Sequence, residues 1–89
     1  MKIVVYQNLQ KDNRYGYQIQ RNVSPNDLLV KEQIIPGAYG FPPMYIRHLQ
    51  IIYDNETVLV VSQTDNELDN AEKQEILAGA LSYLTNLEE

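Results

Sequence analysis

Short β-branched and aromatic runs, with one stretch that alternates apolar and polar positions, mark the earlier part of this chain, and a helical period takes over from Lys73 onward. Ile3-Val4-Val5-Tyr6 is a β-branched and aromatic run, so residues 2–6 predict a strand. Gln10-Lys11-Asp12-Asn13-Arg14 is polar and carries turn residues. From Tyr15 to Arg21, Tyr15, Tyr17 and Ile19 fall on one side and Gly16, Gln18 and Gln20 on the other. That pattern predicts a half-exposed strand, and the short connection predicts an antiparallel hairpin.

Ser24-Pro25-Asn26-Asp27 reads as a helix start. Ser24 can cap, Pro25 suits the first helical position, and Asp27 suits the positive end of the helix dipole. Leu28, Leu29, Val30, Ile34 and Ile35 give a short helix an apolar side, running to about Gln33. A strand from Leu29 to Ile35 is the alternative. Residues 35–45 hold three prolines and two glycines, which enforce turns and extended backbone. Pro36-Gly37 suits a type II turn, and the isomer of the Phe41–Pro42 bond stays open. Tyr45–Tyr53 and Thr57–Gln63 form a second hairpin around Asp54-Asn55-Glu56. Val58-Leu59-Val60-Val61 is apolar on both faces and predicts a central strand.

Three capping pairs compete for the start of the last helix: Thr64 with Glu67, Asn66 with Asp69, and Asp69 with Glu72. From Lys73 onward, Tyr83, Ile76, Leu87, Ala80, Leu84, Leu77 and Leu81 occupy an arc of about 160°. This stripe is expected to pack on one sheet face. The expected fold is α+β, an antiparallel sheet of about four strands in the order β-β-(short α)-β-β-α. The C-terminal amphipathic helix covers one face, and residues 1–89 form a single domain.

Length and composition narrow the function. A chain of 89 residues can bury one core. It has no run of about 18 apolar residues and no N-terminal apolar run of signal-peptide length. There is no cysteine, which removes disulfides and thiolate chemistry. A cytoplasmic location is the resulting expectation. The sequons at Asn22 and Asn55 read as chance matches in that setting.

Charge is uneven. Residues 1–53 carry six basic and three acidic groups, and residues 54–89 carry nine acidic groups and only Lys73. The balances, +3 and −8, sum to −5. Asp65, Glu67, Asp69, Glu72 and Glu75 crowd the start of the last helix. Such a cluster can steer a basic partner, and Tyr39, Phe41 and Tyr45 in the Pro/Gly loop can anchor one. The plainer reading is that these carboxylates solvate a helix end.

Catalytic chemistry lacks a motif. His48 is the only histidine, and Ser24, Ser62 and Ser82 lie in no nucleophile-elbow context. Asp65, Glu67 and Asp69 superficially resemble a calcium loop, but Asn70 stands for the turn glycine and Ile76 for the bidentate glutamate. Gly37-Ala38-Tyr39-Gly40 lacks phosphate-loop spacing. No metal or cofactor is therefore expected, and a non-enzymatic interaction or regulatory protein is the favoured class. Its extreme form is an inhibitor or nucleic-acid mimic. A small enzyme without a recognisable motif is one alternative. Single-stranded nucleic-acid binding by Arg14, Tyr15, Tyr17 and Arg21, with Arg47 nearby, is another and weaker one. The tyrosines can equally pack across strands. The helix back, Ala71, Ala78, Gly79, Ser82 and Thr85, is small-sided and predicts either a plain solvated face or contact with a second copy.

Overall fold

The apolar run at residues 2–6 extends into an eight-residue strand, β1 (Lys2–Leu9), in the computed structural model, which describes residues 2–20, 32–37, 40 and 42–88. A 3-10 turn at Gln10–Asp12 follows, and Asn13 in the left-handed conformation closes it, its N–H donating to the Gln10 carbonyl. Strand β2 (Arg14–Gln20) then returns antiparallel along β1. Strands β3 (Glu32–Ile35), β4 (Met44–Tyr53) and β5 (Glu56–Thr64) form an antiparallel meander, and helix α1 (Asn70–Glu88) ends the chain. Asp54 and Asn55, at φ 53° and 62°, make the two-residue turn between β4 and β5. Positive φ at both central positions matches the twist of the flanking strands.

The sheet is mixed and has five strands, in the order β2-β1-β5-β4-β3. This corrects the expectation of about four antiparallel strands. β1 and β5 pair in parallel, Val4 opposite Val60 and Tyr6 opposite Ser62. Both bury aliphatic residues on each face, Val4 against Ile3 and Val5 in β1 and Val58 and Val60 against Leu59 in β5, as strands at the centre of a sheet require. On the outer side of this pair, Gln7 Nε2 donates to Gln63 Oε1 at 2.8 Å and helps fix the register. The short helix expected up to Gln33 is also corrected at its end: Glu32 and Gln33 lie in β3, paired with Arg47 and Ile46. The rest of that expectation, from Ser24 to Lys31, lies outside the described residues. β-branched Ile34 and Ile35 suit a strand, and Pro36 stops it at the sheet edge.

Helix α1 lies over one face. Its Ile76, Ala80 and Leu84 form the main buried cluster with Val4, Val58 and Val60 of the sheet and Leu68 of the connection. Ile3, Val5 and Leu59 form a second buried cluster on the other face. The helix buries a stripe of the expected width but rotated. At 100° per residue it runs from Gly79 through Tyr83, Ile76, Ala80 and Leu84 to Leu77, about 40° from the hydropathy reading. Leu81 and Leu87, expected within the stripe, are 44% and 53% exposed. Leu81 is left out of the stripe by the rotation, whereas Leu87 points to the buried side but sits in the last turn of the helix. The rotation follows from Tyr17 on β2. Its ring lies 4.9 Å from that of Tyr6 and 5.9 Å from that of Tyr83, and its hydroxyl donates to the Ile76 carbonyl at 2.9 Å. These contacts draw the helix toward β2 and turn Gly79 onto the phenol.

Candidate functional site

Several residues of the acidic segment hold the start of α1 in place. Of the three capping pairs, Asp69 with Glu72 forms: the Glu72 N–H donates to Asp69 Oδ1 at 2.8 Å, and the Asp69 N–H donates to Glu72 Oε1 at 3.3 Å. This reciprocal box satisfies helix N–H groups that have no partner within the helix. Thr64 belongs instead to β5, where it is buried and donates to the Asn66 carbonyl at 2.7 Å. Asp65 Oδ2 accepts from the Gln10 N–H at 2.6 Å, tying the β1–β2 turn to the end of β5. Glu67 pairs with Arg47 of β4 at 3.2 Å. For Glu75, which is exposed, the described residues provide no hydrogen bond or ion pair.

Between the helix start and the sheet lies an open cleft of about 360 Å³. Tyr6 and Tyr17 wall it, Asn8 and Thr64 come from the strands, Asn66 and Leu68 from the connection, and Glu72, Glu75 and Ile76 from the helix. Its polar lining is rich in acceptors and includes no lysine or arginine. Asn8 Oδ1 is shut off from the surface and has no hydrogen-bond partner. Ser62 Oγ, in register beside Tyr6, is in the same condition. Burial raises the Tyr17 phenol above its ordinary pKa, and the neighbouring Tyr6 phenol adds to the rise. The hydroxyl therefore stays protonated and keeps its bond to Ile76.

No protein-family model, no curated protein and no solved structure matches this chain. The residues themselves must carry any functional reading.

The remaining candidates separate in space. Tyr45 is partly buried on β4 opposite Thr64, while Tyr39 and Phe41 lie outside the described residues. Ala71, Ala78, Ser82 and Thr85 are exposed, and the Thr85 hydroxyl donates to the Leu81 carbonyl at 2.9 Å. Gly79 does not join them, because a side chain there would meet Tyr17 Cζ at 2.7 Å. Of the nucleic-acid candidates, Arg14 and Tyr15 are exposed, Tyr17 is packed under the helix, and Arg21 lies outside the described residues. His48 shares the outer sheet face with Val61, whereas Ser62 faces the helix, so the sheet separates them. Partial burial lowers the His48 pKa. Among the described residues no three His, Asp or Glu side chains could hold a metal ion. No described helix is long and apolar enough to cross a membrane.

The carboxylates are legible in the sequence, and the cleft is not. Asn8, Thr64 and Tyr6 reach it only because β1 and β5 are neighbours, a pairing between segments more than 50 residues apart.

Proposed function

We propose that this chain is a non-enzymatic recognition module that engages a basic protein partner through the start of α1. The observation that carries the reading is the acceptor-lined cleft bordered by Glu72 and Glu75, with Asp65, Glu67 and Asp69 close by in sequence. Asp65, Glu67, Asp69, Glu72 and Glu75 face only one lysine within that segment, Lys73. A rigid surface of this sign accelerates encounter with a positively charged protein and selects against anionic ones. It likewise repels nucleic-acid phosphates, which are bound by cations. The same surface suits an inhibitor that occupies the basic groove of a nucleic-acid-binding protein.

The test is affinity capture from the native host's lysate with the parent chain and a Glu67→Gln, Glu75→Gln double variant, each with and without nuclease. A basic protein captured by the parent, kept after nuclease and lost with the double variant is the expected result. Capture indifferent to the variant, or abolished by nuclease, overturns the reading.

A further inference from the structure

We propose that two copies of this chain associate through β2, the strand pairing antiparallel with itself across a two-fold axis at Tyr17.

Among the described residues, β2 pairs on one side only, with β1, and ends the sheet. The N–H and C=O groups along the outer side of such a strand are a template for another strand. The two edges of this sheet differ. β3 has four residues, begins at Glu32 and is followed by Pro36. Shortness, charge and proline all blunt an edge. β2 has seven residues, no proline and no lysine, and Arg14, its one charged side chain, stands at its first position.

The side chains of β2 suit a second copy of itself. With the axis at Tyr17, Arg14 lies opposite the second copy's Gln20, Tyr15 opposite its Ile19, and Gly16 opposite its Gln18. Residues directly opposite share a sheet face, so the row Tyr15, Tyr17 and Ile19 meets its own counterpart. No like charges face each other. Tyr15, 61% exposed, gains cover from the second copy's Ile19.

The other sheet face carries the most specific feature. Gly16, at φ 108°, keeps its place opposite Gln7, and nothing lies within 4 Å of where its side chain would stand. An open notch of about 450 Å³ is lined there by Gln7, Asn13, Arg14, Tyr15 and Gln18. In the paired arrangement the second copy's Gln18 stands opposite this glycine, and its side chain lies over the bare backbone. Gln7 reaches the same place from β1. Its Nε2 already donates to Gln63 Oε1, which leaves Gln7 Oε1 to accept from the second copy's Gln18 amide. The two-fold axis makes this contact twice.

Charge permits the arrangement. The acidic start of α1 lies at the Tyr15 end of β2, because Glu75 shares a cleft with Asn8, which pairs with Tyr15. Antiparallel pairing sends the two acidic clusters to opposite ends of the dimer, where their mutual repulsion is screened.

The experiment is sedimentation equilibrium of the full chain from about 10 μM to about 1 mM, the range in which an interface this small associates. A mass rising from that of one chain toward that of two is expected. Gln18→Lys sets a second cation beside Arg14 in the notch and is expected to weaken association at least about tenfold. The parent melting temperature is expected to persist, since Gln18 is exposed. Tyr15→Lys reads the opposite sheet face and is expected to act in the same direction. Ala78→Lys, on the back of the helix, is expected to leave association unchanged. In a mixture of differently isotope-labelled parent chains, an intermolecular NOE between Gly16 Hα and the Gln18 side-chain amide is expected. The mass of one chain at every concentration overturns the inference. So does association that survives both β2 variants, or that Ala78→Lys abolishes. Should either β2 variant unfold, the NOE decides, and a dimer without it overturns the inference.

Discussion

The middle and the start of helix α1 are held to the same sheet by different forces. In the middle, Ile76, Ala80 and Leu84 are buried on Val4, Val58 and Val60, and contact is hydrocarbon on hydrocarbon. At the start the attachments are polar: the Asp69–Glu72 box, Asp65 on the Gln10 N–H, and Glu67 on Arg47. A fully buried leucine contributes roughly 1.5–3 kcal/mol. A typical hydrogen bond contributes about 0.5–1.5 kcal/mol net and an exposed ion pair about 0–1 kcal/mol. The fold therefore depends on the middle of the helix. The start can change its charge with little loss of stability, which is the property a binding surface needs.

The sharpest way to break this contrast is at Leu84, which is 1% exposed. Leu84→Ala is expected to destabilise by about 2–5 kcal/mol in chemical denaturation, from lost transfer energy and the cavity left behind. Leu84→Asp places a charge in the same pocket and is expected to abolish the cooperative thermal transition. A parent-like melting temperature for Leu84→Asp would mean that the helix is not the lid of this core.

Gly79 gives the next largest effect. Within a helix, alanine normally improves on glycine by about 1 kcal/mol. Here the added methyl meets the Tyr17 phenol, so Gly79→Ala is expected to destabilise, with overpacking of about 1–3 kcal/mol exceeding the propensity gain. Tyr17→Phe removes the nearest atom, the hydroxyl, and is expected to recover part of the loss in the Gly79→Ala background, although alone it costs a hydrogen bond. Equal costs of Tyr17→Phe in both backgrounds would remove the proposed contact. The same phenol predicts an alkaline dependence. Its folded pKa lies above 10.0, so the stability it contributes is present below pH 10 and is lost as pH rises through the folded value. Tyr17→Phe is expected to flatten that part of the pH–stability curve.

The contrast also explains what could be read from the chain. Both hairpins and the central position of β5 follow from local pattern, since alternation and turn residues act over a few positions. The parallel pairing of β1 with β5 does not, because no turn joins them and only their shared two-faced apolar character hints at it. The rotation of α1 was hidden for a related reason. Hydropathy counts Leu81 as core and leaves Gly79 out, whereas Tyr17 packs on the glycine and leaves the leucine partly in water. The acidic cluster was plain in sequence. Its division into structural carboxylates and the exposed Glu75 required the partners Gln10 and Arg47, each distant along the chain from the carboxylate it meets.

At the helix start, Asp69→Ala removes the side-chain acceptor for the Glu72 N–H. Loss of such a cap costs about 1 kcal/mol, with 0.5–2 kcal/mol as the usual span. Asp69→Asn keeps an acceptor and is expected to recover most of this in urea denaturation. If both variants fall equally, the charge rather than the hydrogen bond holds the helix end.

The smallest effect is expected at Glu67. Its pair with Arg47 is 3.2 Å long, and its side chain is 73% exposed. Solvent screens such a pair, so Glu67→Gln is expected to change stability by less than about 0.5 kcal/mol. Glu75→Gln, with no described partner to lose, should do no more. This near-silence is the informative outcome, because it leaves the carboxylates at these two positions without a large structural task. A loss above about 1 kcal/mol at Glu67 would instead make the ion pair part of the scaffold. The helix start would then resemble the helix middle in its purpose, and the case for a partner-facing surface would rest on Glu75 and the cleft alone.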